Sequence, residues 1–388
     1  MLVLDQYDGK NNGTTITACR LADGLRTLGY EVKVVSTGKQ STEKFRVPEL
    51  WLPPLIKPLI QAQGMQFALP QKKILYEAIQ WADIVHFVMP FFLSIQALKI
   101  AQKLGVPHTA AFHVQPQNIT YSIGLGTVPI ANEYLYHIMR ERFFKHFRHI
   151  HCPSRFIANQ LKERGYTAEL HIISNGVAPE FVYTKTEKPA ELYGRFIIVM
   201  IGRLSKEKRQ DVLIKAVRLS RYADSIQLIF AGKGPLKKRY ETESAELTHK
   251  PIFTFCGQEE LIRILSYTDL YVHTADVEIE AISCLEALSC GLVPIIADSS
   301  QSATPQFVLD NRSLFTAGSP EALAEKIDYW LDHPEERKKQ EYAYAEHGKH
   351  FSHESCVQKM VEMFHAEVSS SHKQQSMRIA GKKDTMPE

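Results

Sequence analysis

Short apolar runs bounded by turns alternate with helical periods through the first half of the chain, and after a polar break the alternation begins again. No other feature narrows the fold as much. Parallel strands cannot be joined by a tight hairpin; they need a crossover, usually a helix. In the first half the strand candidates are Leu2–Leu4, Glu31–Ser36, Asp83–Phe87, His108–Phe112, His149–Cys152 and Glu169–Ile173. Helical periods lie between several of them, at Thr15–Leu28, Leu93–Leu104 and Arg155–Arg164, each followed by a glycine suited to close a helix. In the second half the strand candidates are Phe196–Ile201, Ile226–Ala231, Ile252–Phe255, Leu270–Thr274 and Leu292–Ala297. Helices are expected between them at Asp211–Arg221, Glu259–Tyr267 and Ile282–Cys290.

The expectation is therefore an α/β chain with two Rossmann-like parallel sheets in tandem. Open parallel sheets bind ligands beyond the carboxyl ends of their strands, so the expected site is a cleft that both sheets face. The boundaries read as an N-terminal domain at 1–176, a polar linker at 177–193, a second domain at 194–350, a helix at 351–368 and an unstructured tail at 369–388. With 388 residues the chain can bury two cores without staples. Its 46 basic and 43 acidic residues leave a net charge of +3, too balanced for a nucleic-acid coat, and no nucleic-acid partner is expected.

The six cysteines form no C-x-x-C pair and mostly sit beside apolar residues, which reads as buried thiols in a reducing compartment. Met1–Asp5 reads as a strand rather than a signal peptide, and no run of about 18 apolar residues occurs. The expected location is cytoplasmic, with the inner face of the membrane as a surface the protein could lie against.

Two motifs carry chemistry. Gly202-Arg203-Leu204-Ser205-Lys206-Glu207-Lys208 follows a strand and precedes a helix. A turn of this kind, with a glycine and cations, suits an anionic diphosphate: arginine offers a planar fork and lysine a point charge. A solvated basic turn explains the same residues equally well. The second motif is Glu278-x7-Glu286. Glu278 sits in the loop entering a helix, with Glu280 as a competing acid; one of the two is expected to be an exposed loop residue. Glu286 lies inside the helix among Cys284, Leu285, Ala287 and Leu288, where a carboxylate costs energy unless it is paired or bound to a ligand such as ribose hydroxyls. No Walker loop, no strand-borne G-x-G-x-x-G and no Asp-x-Asp occurs, which disfavours P-loop and dehydrogenase chemistry.

Together these motifs resemble the retaining GT-B glycosyltransferases of family four (glycosyl transferases group one). The order is Gly202-Arg203…Lys208, Ala231-Gly-Lys-Gly-Pro235, Phe255-Cys-Gly257, Tyr267-Thr-Asp269, Glu278-x7-Glu286 and Cys290-Gly291. The resemblance spans essentially the whole chain. It implies a nucleotide-diphosphate sugar as donor, UDP- or GDP-linked, with no metal and no other cofactor. Arg203 and Lys208 would bind the diphosphate, helped by the turn at Gly202. Glu278 would hold the donor sugar and Glu286 the ribose, while backbone near Gly257 would line the nucleobase pocket. Family members usually carry glycine at the position of Ala281, a departure in the turn that meets the donor sugar. The family implies retention of configuration, with the leaving phosphate deprotonating the acceptor, so no general base is expected.

In the first half, Asp8-Gly-Lys-Asn-Asn-Gly13 opens onto a helix, and the family has a glycine-containing loop there, so Gly13 is expected near phosphate or sugar. His113 ends a strand where the family often places a histidine against the transferred sugar; His86 also ends a strand and ranks below it. Asn175-Gly176-Val177 matches a family signature at the domain boundary, and the resemblance implies that the helix at 351–368 crosses back to the N-terminal domain, which would make that domain discontinuous. Two stretches hint at an anionic membrane surface: the proline-rich Trp51–Ile60, and Tyr134–Arg148, which mixes aromatics with cations. A core helix with a solvated basic face explains the second equally. A membrane lipid such as diacylglycerol is the first acceptor expected, and a surface polysaccharide or lipid-linked saccharide the next. A non-catalytic GT-B partner protein would lose donor-site residues, which all survive here. A sugar-nucleotide hydrolase or epimerase would share the diphosphate grip but need no apolar acceptor patch.

Overall fold

The structure is a computed structural model that describes residues 1–8, 13–54, 65–122 and 128–383, with only the backbone for residue 122 and residues 372–383. It divides into two compact units, Met1–Pro116 with Val128–Asn175 and Cys356–Glu388, and Gln117–Thr127 with Gly176–Ser355.

The first unit holds a seven-stranded sheet of β1 (Leu2–Val3), β2 (Val34–Ser36), β3 (Lys44–Arg46), β4 (Val85–Phe87), β5 (His108–Ala111), β6 (His149–Cys152) and β7 (Glu169–Ile172). Their order is β3-β2-β1-β4-β5-β6-β7, and every pairing is parallel. The second unit holds β8 (Phe196–Ile201), β9 (Ile226–Ala231), β10 (Ile252–Thr254), β11 (Leu270–His273), β12 (Pro294–Asp298) and β13 (Leu314–Thr316), ordered β10-β9-β8-β11-β12-β13 and again all parallel. The central strands β8 and β9 are almost wholly buried, so they read as continuous apolar runs rather than alternating ones. These are two Rossmann-like units.

The helices fall where the apolar periods place them. Gly13–Thr27, Phe92–Leu104 and Arg155–Glu163 serve the first sheet, and Gln210–Leu219, Gln258–Tyr267 and Ile282–Ser289 the second. All six cysteines are free thiols. The helix that starts at His353 runs to Lys383, past Ser369 where the sequence suggests an unstructured tail. Residues 384–388 of that tail lie outside the described residues.

This last helix completes the first core. Cys356, Val357, Met360, Val361 and Met363 pack with Leu2, Leu4, Ala18, Leu25 and Ile173. The first unit is therefore discontinuous: the segment up to Asn175 is joined by the returning helix from Cys356 onward. The helix Pro116–Ser122 departs from the 1–176 boundary: from Gln117 onward it groups with the second unit, where the Tyr121 hydroxyl hydrogen-bonds the Asp276 carboxylate. The stretch 177–193 has no regular structure beyond a short turn at Ala190–Leu192, yet it is fastened to the second unit. Lys188 pairs with Asp269 at 2.6 Å, and Lys185 with Glu341 at 3.1 Å. At the boundary, Val177 donates to the Phe351 carbonyl (2.8 Å) and accepts from the His353 amide (3.0 Å). A side chain on Gly176, which sits at φ +80°, would press within 2.8 Å of the His353 Cα.

Candidate active site

Sheet topology points to the site before any side chain does. In the second unit β8 comes first; the chain then adds β9 and β10 on one side and β11 to β13 on the other. Strand order reverses between β8 and β11, and ligands of open α/β sheets bind beyond the strand ends at such a point. Gly202, Arg203 and Lys208 follow β8, and Glu278 follows β11.

The turn after β8 is held by backbone on backbone. Gly202 donates to the Ala231 carbonyl, Leu204 donates to Lys233, and Leu236 donates to Leu204. A Cβ on Gly232 would fall 1.9 Å from the Gly202 oxygen, and one on Gly234 2.3 Å from the Leu204 oxygen. The two glycines of Ala231-Gly-Lys-Gly-Pro235 are thus required by this close approach. The Arg203 carbonyl accepts from Gln210 Nε2 at 2.8 Å, which ties the turn to the next helix. Partial burial draws the Arg203 guanidinium below its ordinary range, opposed by Glu207. It stays charged at neutral pH.

Lys208 and Glu278 form an ion pair. Burial alone would push the Glu278 carboxyl up, but the Lys208 charge and the neighbouring His273 outweigh it and hold the group down at about 2. His273 is fully buried, with Nε2 3.2 Å from Glu278 Oε1 and Nδ1 2.8 Å from the Tyr271 hydroxyl. Burial lowers its pKa, so the ring is neutral. Thr274 fixes the lysine from behind, its hydroxyl reaching the Lys208 and Arg209 carbonyls at 2.8 and 2.9 Å. The Asp276 amide donates to the Glu207 carbonyl, and the Arg209 side chain spans Asp211 and Asp276 at 3.2 Å each. The loops after β8 and β11 are therefore one bonded assembly.

The sequence reading missed His273 and Tyr271. Both sit in an apolar strand and look like core residues; only the pairing of β11 with β8 shows what they face. It also expected Glu278 or Glu280 to be an exposed loop acid. That is corrected: Glu278 is 8% exposed and Glu280 1%. Glu286 is 7% exposed on the helix Ile282–Ser289, and Ser283 at the start of that helix lies 3.5 Å from the Ile201 carbonyl at the end of β8. Ala281 takes φ +66° and ψ +76°, a left-handed conformation that glycine adopts freely and alanine does not. Gly257 caps the helix Gln258–Tyr267 in an extended conformation, and a side chain there would meet nothing. Beside it Phe255 is exposed and carries the Lys233 ammonium 4.2 Å from its ring centre. Asp269 is structural, accepting from the Lys188 ammonium (2.6 Å) and the Ile197 amide (2.7 Å).

Gly13 and His113 belong to the first unit. Gly13 begins the helix Gly13–Thr27, with open space around it, and residues 9–12 of its loop lie outside the described residues. Asp8 accepts from the Lys39 amide at 2.6 Å and pairs with Lys44. His113 is buried just beyond β5, edge-on to His151 with ring centres 5.1 Å apart, and burial keeps it neutral. His86 is buried beside it in the sheet, 2.8 Å from the Thr109 hydroxyl.

The aromatic stretch Tyr134–Arg148 is largely core: Tyr136, Met139, Phe143, Phe144 and Phe147 are buried. Three of its four Arg and Lys side chains are engaged, Arg140 and Lys145 with Glu141, and Arg148 with Glu367, while Arg142 is exposed. Ile130, Tyr134 and, elsewhere, Trp51 remain 82%, 64% and 77% exposed. Residues 55–64 of the proline-rich stretch lie outside the described residues. No described helix is long and apolar enough to cross a membrane.

Comparison with known proteins bears on the family and the fold. The chain is 24% identical to the alpha-monoglucosyldiacylglycerol synthase of Streptococcus pneumoniae over 76% of this chain and 70% of that protein. It is also 24% identical to the GDP-mannose-dependent alpha-mannosyltransferase of Mycolicibacterium smegmatis, over 76% of this chain and 78% of that one. The structure of Anabaena HepE in complex with UDP superposes over 94% of this chain and 99% of that one, with a TM-score of 0.70 at 16% identity. The catalytic domain of a Helicobacter pylori cholesterol-alpha-glucosyltransferase is 48% identical over 40% of this chain and 99% of that domain; its TM-score of 0.40 supports no geometric comparison. Residues 184–347 match the family described as Glycosyl transferases group 1, residues 11–181 match Glycosyltransferase Family 4, and the chain belongs to these glycosyltransferases.

Proposed function

We propose that this glycosyltransferase moves a hexose from a nucleotide-diphosphate sugar to an acceptor hydroxyl with retention of configuration, and that the acceptor is a membrane lipid such as diacylglycerol. The observation that carries the donor half is the Lys208–Glu278 pair at the strand-order reversal, with Arg203 one turn away. Without donor, the two charges neutralise each other. A diphosphate would compete for the Lys208 ammonium and, with the Arg203 fork, stabilise charge on the leaving group. Glu278 would then be released to accept from hydroxyls of the sugar. Each residue holds the other in place until the donor arrives. Glu286 would take the ribose, backbone near Gly202, Ala281 and Gly257 the rest of the donor, and Gly13 the edge of the sugar or phosphate. His113, being neutral, would serve as a hydrogen-bonding partner to the transferred hexose. The leaving phosphate would take the acceptor proton on the same face, so no side chain is assigned as general base.

The acceptor half is supported by the name of the streptococcal relative and by the exposed Trp51, Ile130 and Tyr134. The test crosses UDP- and GDP-sugars with diacylglycerol, a sterol and saccharide acceptors, and reads the anomeric configuration of the product. Transfer only to saccharides would refute the lipid reading. Near-normal turnover by Arg203→Ala would refute the donor assignment. Binding to anionic vesicles that weakens with salt is expected, and its absence at low salt counts against a membrane surface.

A further inference from the structure

The geometry points to a divalent-cation site on the first unit, formed by His149, Glu169 and His171 and suited to Zn²⁺. It uses none of the residues assigned to the donor.

The sheet itself assembles the three ligands. In the parallel pairing of β6 with β7, His149 lies opposite Glu169 and His151 opposite His171. Side chains two apart on a strand share a face, so Glu169 and His171 emerge together beside His149. Their donor atoms converge: His149 Nδ1 is 2.9 Å from His171 Nε2, Glu169 Oε2 is 3.5 Å from His149 Nδ1, and Glu169 Oε1 is 3.6 Å from His171 Nε2. A tetrahedral zinc with bonds of about 2.0–2.1 Å holds neighbouring ligand atoms about 3.3–3.4 Å apart. The two imidazoles each face a different Glu169 oxygen, and with one oxygen as ligand all three donor atoms lie within 4.8 Å of one another, so side-chain rotation would close the set around an ion. Two imidazoles and a carboxylate suit Zn²⁺, and Co²⁺ and Ni²⁺ in its place. Three protein ligands leave the fourth position to water. The Glu169 side chain is 67% exposed, which gives the ion a path from solvent.

An imidazole pair with a nearby carboxylate can also be no more than a hydrogen bond. What lies behind His149 favours the metal reading. Its other nitrogen, Nε2, faces the buried Glu367 carboxylate at 3.9 Å. Glu367 is in turn fixed by the Arg148 guanidinium, at 3.1 and 2.7 Å, and by the Ser371 hydroxyl at 2.9 Å. At 3.9 Å this is not yet a hydrogen bond; a shift of under about 1 Å would make Glu367 the outer carboxylate that usually orients a ligating histidine and leaves its other nitrogen for the metal. Glu367 belongs to the helix His353–Lys383, so a bound ion would join β6, β7 and, through His149, that helix.

The experiment uses the full chain, stripped with chelator and dialysed. Zinc titration should show one equivalent bound with micromolar or tighter affinity and a higher thermal midpoint. Co²⁺ should give the intense visible bands of a tetrahedral nitrogen and oxygen site. His171→Ala and Glu169→Gln change partly exposed side chains; each should weaken zinc at least about tenfold, with far-UV dichroism unchanged. Should His171→Ala fail to fold, Glu169→Gln decides alone. Zinc uptake absent at about 100 µM overturns the site. So does affinity unchanged in Glu169→Gln, which would place the ion elsewhere among the 16 histidines.

Discussion

Replacing Lys208 with methionine keeps the length of the side chain and removes its charge, leaving Glu278 buried without a cation. Glu278 sits at about 2 in the fold against an ordinary 4.5. A tenfold change in an equilibrium constant is about 1.4 kcal/mol, so this gap corresponds to about 3 kcal/mol of stability. Breaking a buried pair by removing one partner costs a similar about 3–5 kcal/mol. Because the folded pKa is depressed, the contribution is fully present above about 4.5 and is lost as pH falls towards about 2. Lys208→Met should therefore destabilise the second unit by about 3 kcal/mol at pH 7, a cost still mostly present at pH 4 and lost only as the pH approaches about 2. Trp330 reports on this unit, and Trp51→Phe with Trp81→Phe silences the tryptophans of the first. Urea unfolding followed by Trp330 fluorescence at the two pH values measures the effect. Adding Glu278→Gln to Lys208→Met should restore most of the loss. A cost that has already vanished at pH 4, or a coupling below about 1 kcal/mol in the double-mutant cycle, refutes the reasoning.

Ala281→Gly removes a left-handed alanine, worth about 1–2 kcal/mol, against about 0.4–1 kcal/mol of added freedom in the unfolded chain; a slightly higher thermal midpoint is expected, and a clear drop would show that the methyl group packs better than its backbone suggests. Gly232→Ala drives a methyl group into the Gly202 carbonyl and must displace the Arg203 turn; transfer should fall by about a hundredfold in steady-state assays, even where the protein stays folded. Burial lowers the pKa of His86, His113 and His151, the last to about 4, so below about 6.5 the unfolded chain takes up protons that the fold refuses. Asp5, held up at about 7 by burial, works the other way. Between pH 7.5 and 5.5 the three histidines cost about 4 kcal/mol and Asp5 returns about 2, a net loss of about 2 kcal/mol in the first unit, measurable by denaturant unfolding at the two pH values.

Eleven of the thirteen described strands announce themselves in the sequence, the interior ones because a parallel strand covered on both faces is mostly apolar, and the edge strands β7 and β10 through the turns that bound them. The two that do not, β3 and β13, are also edge strands, three residues each, reading Lys-Phe-Arg and Leu-Phe-Thr. An edge strand has one neighbour and an open side, so nothing requires it to be an apolar run. The charged turn from Gly202 to Lys208 was legible because it stands between a strand and a helix. His273 and Tyr271 were not, because a polar group hidden in a strand is silent until the neighbouring loop is known. Glu280 misled for a related reason: a loop acid flanked by isoleucine and alanine looks solvated, and only the fold encloses it.

The bonds that join Val177 to Phe351 and His353 mark where the chain leaves the first unit and where it comes back. In genetic terms the second unit is an insertion into the first. The ribosome begins the first unit and finishes it only after the whole of the second has been made. Until then Leu2, Leu4 and Leu25 wait for Val357, Met360 and Met363, and their apolar faces stay uncovered. A truncation at residue 175 should therefore yield an insoluble fragment. The same segment joined by a short linker to residues 356–383 should fold as an independent protein, because Val177 and His353 already stand within one hydrogen bond of each other.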